Sequence, residues 1–448
     1  MALEDNSRLR GVMERRRFGM RPGLDVMRAV MAALGNPQDT LRYVHVAGTN
    51  GKGATCALID EILRAAGYRV ARYTSPHLIS INERFFLDGR AVDDAALERV
   101  AERVLDVVER VERERGIEVT FFETLTAMAF TLFAEAKPDV VVLETGLGGR
   151  LDATNVIAPS TVLASVITRI GLDHCDWLGT THVAIAEEKA GIVKPGRPVV
   201  CGAMPEAALE VIERAASLDG CPFTAVEDHV TVERVAPLTL TTAVRNLPPA
   251  SFALFGAFQI ENAMTALTAI DVLAKECGLE TPDHAIVAGL ERVVWPGRCQ
   301  RVVHDGVEIF IDGAHNPDGA LALRDAVQDG AAPHPIGLVA GFCGDKDVLA
   351  HLRIMSAIAT HGWATPIRNA RSLDPAATAE RMQLAGFASA EACPTLAEAL
   401  AKALAWARAN NGALVVCGSL FLAGEALVEL GAFPWCVRAP DANESTLR

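Results

Sequence analysis

Gly48-Thr49-Asn50-Gly51-Lys52-Gly53 brings together the ingredients of a phosphate cradle. Glycines let backbone N–H groups approach phosphate oxygens, Lys52 supplies a mobile cation, and a helix N-terminus adds the positive end of a dipole. The alternating Tyr43-Val44-His45-Val46 predicts a strand running into this loop, and Ala54–Ala66 predicts the helix leaving it. Binding of a nucleoside triphosphate is the expectation. The segment departs from G-x-x-x-x-G-K-[ST], because position 46 is Val and Gly53 follows the lysine. An ordinary glycine-rich strand-to-helix turn would use the same residue types.

Three more groups fit that chemistry. Glu144 ends the apolar run Asp139–Leu143 and opens the glycine-rich loop Thr145–Asn155, a position suited to holding a hard cation such as magnesium beside phosphates. As an alternative, Glu144 caps a helix. A second group is His174 with Lys189, on either side of a predicted helix. Imidazole can ligate a metal and an ammonium cannot, so Lys189 reads either as a modified ligand or as a helix-surface lysine beside Glu187 and Glu188. In the third, the strand Val307–Ile311 ends in Asp312-Gly313-Ala314-His315-Asn316-Pro317, with Arg298 shortly before it. Guanidinium suits bidentate phosphate contact. Asp312 either faces the same cleft or caps the helix expected near Pro317.

The elements that must position these groups alternate along the chain. Val44–Val46, Val140–Leu143, Val162–Ile167 and Val199–Cys201 are short apolar runs separated by amphipathic helices, a pattern of parallel strands with crossover helices. Val92–Arg115 spaces Leu97, Val100, Val104, Val107, Val108 and Val111 as one buried helical stripe. Trp295-Pro296-Gly297-Arg298 punctuates the chain, and the alternation restarts with Val307–Ile311, Ile336–Ala340 and Ala413–Cys417. The expected architecture is α/β with two domains. Residues 1–296 form a P-loop-type ATPase domain with a mostly parallel sheet, and residues 297–448 a smaller Rossmann-like domain. The tail Arg438–Arg448 is polar and expected to be loose.

The 448 residues carry 42 Lys plus Arg against 56 Asp plus Glu, a formal charge of −14 that argues against a general nucleic-acid surface. Ten scattered cysteines without a C-x-x-C pair read as reduced core thiols of a cytoplasmic protein. With no run long enough for a membrane span and no apolar leader, the chain is expected to be soluble and unprocessed. A monomer is a separate expectation that these features do not decide.

In order along the chain, these segments resemble the folylpolyglutamate synthase/dihydrofolate synthase family of the Mur-ligase-like superfamily. The resemblance runs through His45–Gly53, Thr74-Ser75-Pro76-His77-Leu78 with Glu83-Arg84, Glu144–Asn155, Ile170–His174, Glu188-Lys189-Ala190-Gly191, Asn262-Ala263, Trp295–Arg298 and Asp312–Pro317. Gly344-Asp345-Lys346-Asp347 and Gly418-Ser419-Leu420 resemble its C-terminal signatures. It implies that ATP phosphorylates a terminal carboxylate and that the amine of L-glutamate attacks the acyl phosphate, giving an amide, ADP and phosphate. The substrates would be dihydropteroate, reduced folates or both.

Carried over by position, Thr49, Asn50, Gly51, Lys52 and Gly53 hold phosphates. Ser75, Glu144 and His174 are magnesium ligands, and Lys189 is a carbamylated lysine binding a second magnesium. Asn262, Arg298 and Asp312 contact ATP, with His315 lining the same site; Lys52, His174, Lys189 and His315 are the catalytic set. The pterin and aminobenzoate portion is placed near Arg84, Phe122 and Thr124, although Phe121 and Phe122 read equally well as core. Family members usually carry serine where this chain has Ala54, and Thr49 or Thr55 are the available substitutes.

Two rivals remain. A peptidoglycan Mur ligase would need a further domain ahead of the loop, and the 47 residues preceding Gly48 are too few for one of usual size. A catalytically silent nucleotide-binding protein would have no need of Glu144, His174, Lys189 and Asp312 together.

Overall fold

A computed structural model describes residues 8–15, 23–330, 332–344 and 346–435. Asp345 and the tail 438–448 lie outside the described residues.

Among the described residues, sixteen strands form three sheets. They are β1 (Tyr43–Ala47), β2 (Val70–Tyr73), β3 (Phe85–Leu87), β4 (Arg90–Ala91), β5 (Val140–Glu144), β6 (Val162–Ile167), β7 (Val199–Cys201) and β8 (Phe223–Ala225), then β9 (Val230–Val235) and β10 (Leu238–Thr242). The last six are β11 (Gln300–His304), β12 (Val307–Ile311), β13 (Ile336–Ala340), β14 (Ala359–Ala364), β15 (Ser389–Ala392) and β16 (Ala413–Cys417).

The first sheet has the order β4-β3-β2-β5-β1-β6-β7-β8, parallel throughout except at the β2–β3 and β3–β4 pairs. Its central strands β5, β1 and β6 are buried along their whole length. Because side chains alternate across a strand, Tyr43, Val141 and Leu143 join a core on one face, with the helices Asp94–Arg115 and Phe121–Ala136. Val44, Val46, Val140 and Val142 join a core on the other, beneath the helices Lys52–Ala65 and Ala257–Cys277. The stripe read in Val92–Arg115 is observed, with Leu97, Val100, Val104, Val108 and Val111 buried and Val107 partly so.

Residues 300–417 build the second sheet, in the order β11-β12-β16-β13-β14-β15, parallel except at β11–β12. Helices cover both of its faces. The β9–β10 hairpin is a separate antiparallel pair that the strand alternation did not reveal. It is tied to the helix Ala257–Cys277 where His229 and Arg245 meet the buried Asp271 at 2.9 and 2.7 Å.

Two local boundaries differ from expectation. The helix after the glycine loop begins at Lys52 rather than Ala54, because Gly51 adopts the left-handed conformation and turns the chain one step earlier. The single helix expected between His174 and Lys189 is two, Cys175–Leu178 and His182–Ala190, broken at the left-handed Gly179.

Candidate active site

Strand β1 ends at Ala47, and the loop it feeds is stitched to the end of β6. Thr49 N–H donates to the Arg169 carbonyl at 2.9 Å, and the Thr168 hydroxyl donates to the Asn50 carbonyl at 2.7 Å. Lys52 folds back over the loop, its ammonium 3.1 and 3.2 Å from the Gly48 and Thr49 carbonyls. A side chain on Gly48 would overlap Thr168, one on Gly51 would overlap Asn262, and one on Gly53 would overlap the Trp295 indole. These glycines therefore serve the packing of the loop as well as its turns. Each provides room for a side chain delivered from a distant part of the chain.

Glu144 is the last residue of β5 and is buried. The Ser75 N–H donates to its Oε2 at 2.8 Å, which leaves the Ser75 hydroxyl as the group that residue can offer a cation. Burial raises the Glu144 pKa, while Lys52, the Ser75 N–H, Arg298 and Arg84 favour its charged form. Lys189 is also buried, and its ammonium donates to the Gly48 carbonyl at 2.7 Å. Desolvation and repulsion by Lys52 bring its pKa down to about 7, against the partial opposition of Asp173 and Asp152. It is not the surface lysine that Glu187 and Glu188 suggested.

His174 adopts the left-handed conformation ahead of its short helix and is the most open of these groups. Partial burial lowers its pKa, opposed by Asp173 and reinforced by Lys52, Lys346 and Lys189. Lys346 belongs to the second sheet's half of the chain, so charge from that half also acts on His174.

On that opposite side, Asp312 follows β12 and both of its carboxylate oxygens accept from backbone, Cys299 N–H and Ala314 N–H, each at 2.6 Å. The cap of the next helix is Asn316, whose side chain accepts from Gly319 N–H at 2.7 Å, so the capping alternative for Asp312 does not hold. The attractions that raise the Arg298 pKa against burial come from Asp312 first and Glu144 second, and the side chain lines one cavity with Thr74 and Pro76, the neighbours of Ser75. His315 is half-buried with Nδ1 2.9 Å from the Gly313 carbonyl, and burial lowers its pKa.

The expected substrate residues separate. Arg84 is buried, with Nε 2.9 Å from His77 Nδ1 and its guanidinium 5.5 Å from the Phe121 ring centroid. Phe122 packs on Tyr73 at 6.2 Å and against Gly146, beside the loop that follows Glu144. Thr124 is fully buried and its hydroxyl donates to the Thr120 carbonyl at 2.9 Å, so it faces the core rather than the cleft. Near Ala54, the Thr49 hydroxyl donates to the Gly171 carbonyl at 3.1 Å. The Thr55 hydroxyl is buried without a hydrogen-bond partner among the described residues.

A supporting chain was not legible beforehand. His45 Nε2 lies 2.9 Å from the Thr154 hydroxyl, which donates at 2.6 Å to Asp152 Oδ1. Asp152 Oδ2 accepts the Gly146 and Leu147 N–H groups at 2.9 Å, fixing the turn directly after Glu144. Asn155 donates to the Arg150 and Gly191 carbonyls at 3.1 and 2.9 Å, which docks this loop on the end of the helix carrying Lys189. Asp152 and Asn155 were visible only as members of a motif, and nothing in their spacing gave these partners.

Ser75 brings a hydroxyl beside the buried Glu144 carboxylate, oxygen chemistry that fits a divalent cation, while His174 lies beside Asp173. Among the described residues, the one compact trio of His, Cys, Asp or Glu side chains lies elsewhere, at Glu391, Cys393 and Glu398. There Lys402 pairs with both glutamates, which already offsets part of their charge.

Residues 46–270 match the Mur ligase middle domain and residues 297–420 the Mur ligase glutamate ligase domain. The chain is 37% identical over 352 residues to the dihydrofolate synthase/folylpolyglutamate synthase of Bacillus subtilis, covering 77% of this chain and 81% of that one. A Mycobacterium tuberculosis folylpolyglutamate synthase solved with ADP superposes with a TM-score of 0.85 at 30% identity, covering 97% and 98% of the two chains. An Escherichia coli relative solved with DHPP and ADP gives 0.82 at 29% identity, covering 96% and 99%.

Proposed function

Because the chain belongs to the Mur ligase family, in its dihydrofolate synthase/folylpolyglutamate synthase branch, we propose that this cleft joins L-glutamate both to dihydropteroate and to the glutamyl tail of reduced folates. It is an ATP-dependent glutamate ligase that releases ADP and phosphate. The observation supporting the site assignment is that Lys52 and Lys189 share the Gly48 carbonyl, while Arg298 of the linker lines a cavity with Thr74 and Pro76, on either side of the Ser75 whose N–H binds Glu144.

A substrate carboxylate oxygen attacks the γ-phosphorus of ATP, the bond to the β-phosphate oxygen breaks, and ADP departs. The amine of glutamate then attacks the acyl carbon, phosphate leaves with the bonding pair, and the nitrogen loses a proton. Lys52 and the residues Thr49–Gly53 hold the phosphates, Arg298 offsets charge on the transferred group, and Asn262 and Asp312 orient the nucleotide, with His315 alongside. Ser75, Glu144 and His174 would hold magnesium, which when bound offsets phosphate charge. Lys189, once carbamylated, would hold a second ion. Its neutral amine adds to the carbon of carbon dioxide, one C=O electron pair moves to oxygen, and the nitrogen releases a proton. Depression of the Lys189 pKa to about 7 supports this, since a lysine at its ordinary value of 10.5 is almost entirely protonated near neutrality.

The folate end lies against Phe122 and Arg84; Thr124, fully buried with its hydroxyl bonded to the Thr120 carbonyl, makes no contact with it. The boundary between the two domains falls between residues 296 and 297, a placement supported by the family match that begins at 297. We further propose a monomer acting in the cytoplasm on small molecules, without nucleic-acid or membrane partners. No helix of the described residues is long and apolar enough to cross a membrane.

The test supplies ATP, magnesium and L-glutamate to the purified protein, with dihydropteroate or tetrahydrofolate in separate reactions. ADP release with each acceptor is expected. Release with tetrahydrofolate alone would reduce the activity to folylpolyglutamate synthesis.

A further inference from the structure

We propose that Trp295 is a positioning residue that registers the linker, and with it Arg298, against the phosphate loop. The inference rests on the nucleotide role given to Arg298 above.

Gly53 sits in the first turn of the helix after the loop, directly behind Lys52, and the Trp295 indole occupies the space its side chain would take. Beside the indole, the Arg72 guanidinium lies 5.7 Å from the Trp295 ring and 4.2 Å from that of Phe86, its cross-strand partner on β3. Arg72 is not free to swing. It donates at 2.9 Å to Asp60, and both residues are buried. Asp60 lies about two turns further along the same helix as Gly53. The indole is thus bounded by that helix's first turn and by a cation fixed to its middle.

From this anchor to Arg298 the chain has little slack. The ring of Pro296 fixes its φ, and Gly297 turns left-handed against Leu78 and Ala423. The Gly297 carbonyl accepts the Gly313 N–H at 2.9 Å, in the loop after Asp312. Trp295 contacts neither the phosphates nor Arg298's charge in this assignment. It acts by fixing where Arg298 starts, so its loss is expected to weaken ATP binding selectively.

Steady-state kinetics on the full chain test this. Trp295→Ala should raise the KM for ATP about tenfold while the KM for glutamate stays within about twofold, and Trp295→Phe should recover most of the difference. Gly53→Ala supplies a second route, because the added methyl strikes the indole. Its effect on the ATP KM should be at least about threefold smaller in the Trp295→Ala background than in the parent. Equal effects in both backgrounds overturn the inference, as does a parallel rise of every KM with Trp295→Ala. If Trp295→Ala does not fold, Trp295→Leu replaces it in both comparisons. Arg298→Ala separates the two readings: an unchanged ATP KM in that variant overturns the role of Arg298, whereas a raised one beside an unaffected Trp295→Ala overturns only the role of Trp295.

Discussion

Glu144 and Asp312 occupy equivalent places in the two sheets and are held in opposite ways. Glu144 is the last residue of a buried strand and Asp312 the first residue beyond one, each enters a glycine-containing loop, and burial raises the pKa of each. Around Glu144 the largest opposing influence is the mobile ammonium of Lys52, with one backbone N–H on one oxygen. Both oxygens of Asp312 are gripped by backbone N–H groups, and its cation, Arg298, is shared with Glu144. A carboxylate surrounded by movable cations can exchange them for a metal ion or a phosphate-bound partner. One locked by amides shapes its loop and aims a neighbour. The first sheet therefore supplies reactive, exchangeable charge, and the second supplies fixed geometry.

Lys189 gives the largest expected effect on that division. Lys189→Ala should lower kcat about a hundredfold or more, and Lys189→Arg should not restore it, because a guanidinium forms no comparable carbamate. Near-parent turnover in either variant would remove the carbamate from the mechanism. Next, Glu144→Gln is expected to cut kcat by about a hundredfold with little change in unfolding free energy, since the neutral amide keeps the shape and loses the charge. Asp312→Asn should show the reverse emphasis. An amide NH2 cannot accept one of the two backbone N–H groups, which costs about 1–3 kcal/mol in denaturant unfolding alongside a smaller loss of kcat. Matching kinetic losses in the two variants, with stability intact in both, would break the comparison.

The smallest effect lies in acid. Burial and Lys194 bring the His45 pKa from 6.5 to about 3, so the folded state keeps the ring neutral while the unfolded chain takes up a proton near 6.5. Its contribution is fully present above pH 6.5 and is lost as pH falls toward about 3. The urea midpoint of His45→Gln should therefore drop less between about pH 7.5 and about pH 5 than that of the parent. Equal drops would assign the acid sensitivity elsewhere, with His351 the next candidate because burial lowers its pKa to about 4.

Strand ends were legible because a buried parallel strand writes itself as a short apolar run, and the polar residue that follows is where ligands meet the sheet. Glu144, Asp312 and the glycine loop were found that way. Their supports were not, because Thr168, Asn262 and Trp295 reach the loop from far along the chain and local spacing does not encode such contacts. Trp295 registered as punctuation between two series of strands, while its ring is packing against the phosphate loop. Lys189 shows the same limit in reverse: its neighbours Glu187 and Glu188 describe a solvated helix face, yet the helix turns the lysine inward to the Gly48 carbonyl. Thr124 was picked for its place beside two phenylalanines, and the helical register instead directs it into the core.

The glycine loop also carries a timetable. Its sequence is complete once residue 53 has been made, but two of the side chains that fill its glycine spaces arrive only at Asn262 and Trp295. A nascent chain that has passed Lys52 holds the full motif without its lateral supports. In the order of synthesis the loop therefore comes long before the side chains that pack its glycines, and its final packing waits on the chain beyond Asn262 and Trp295.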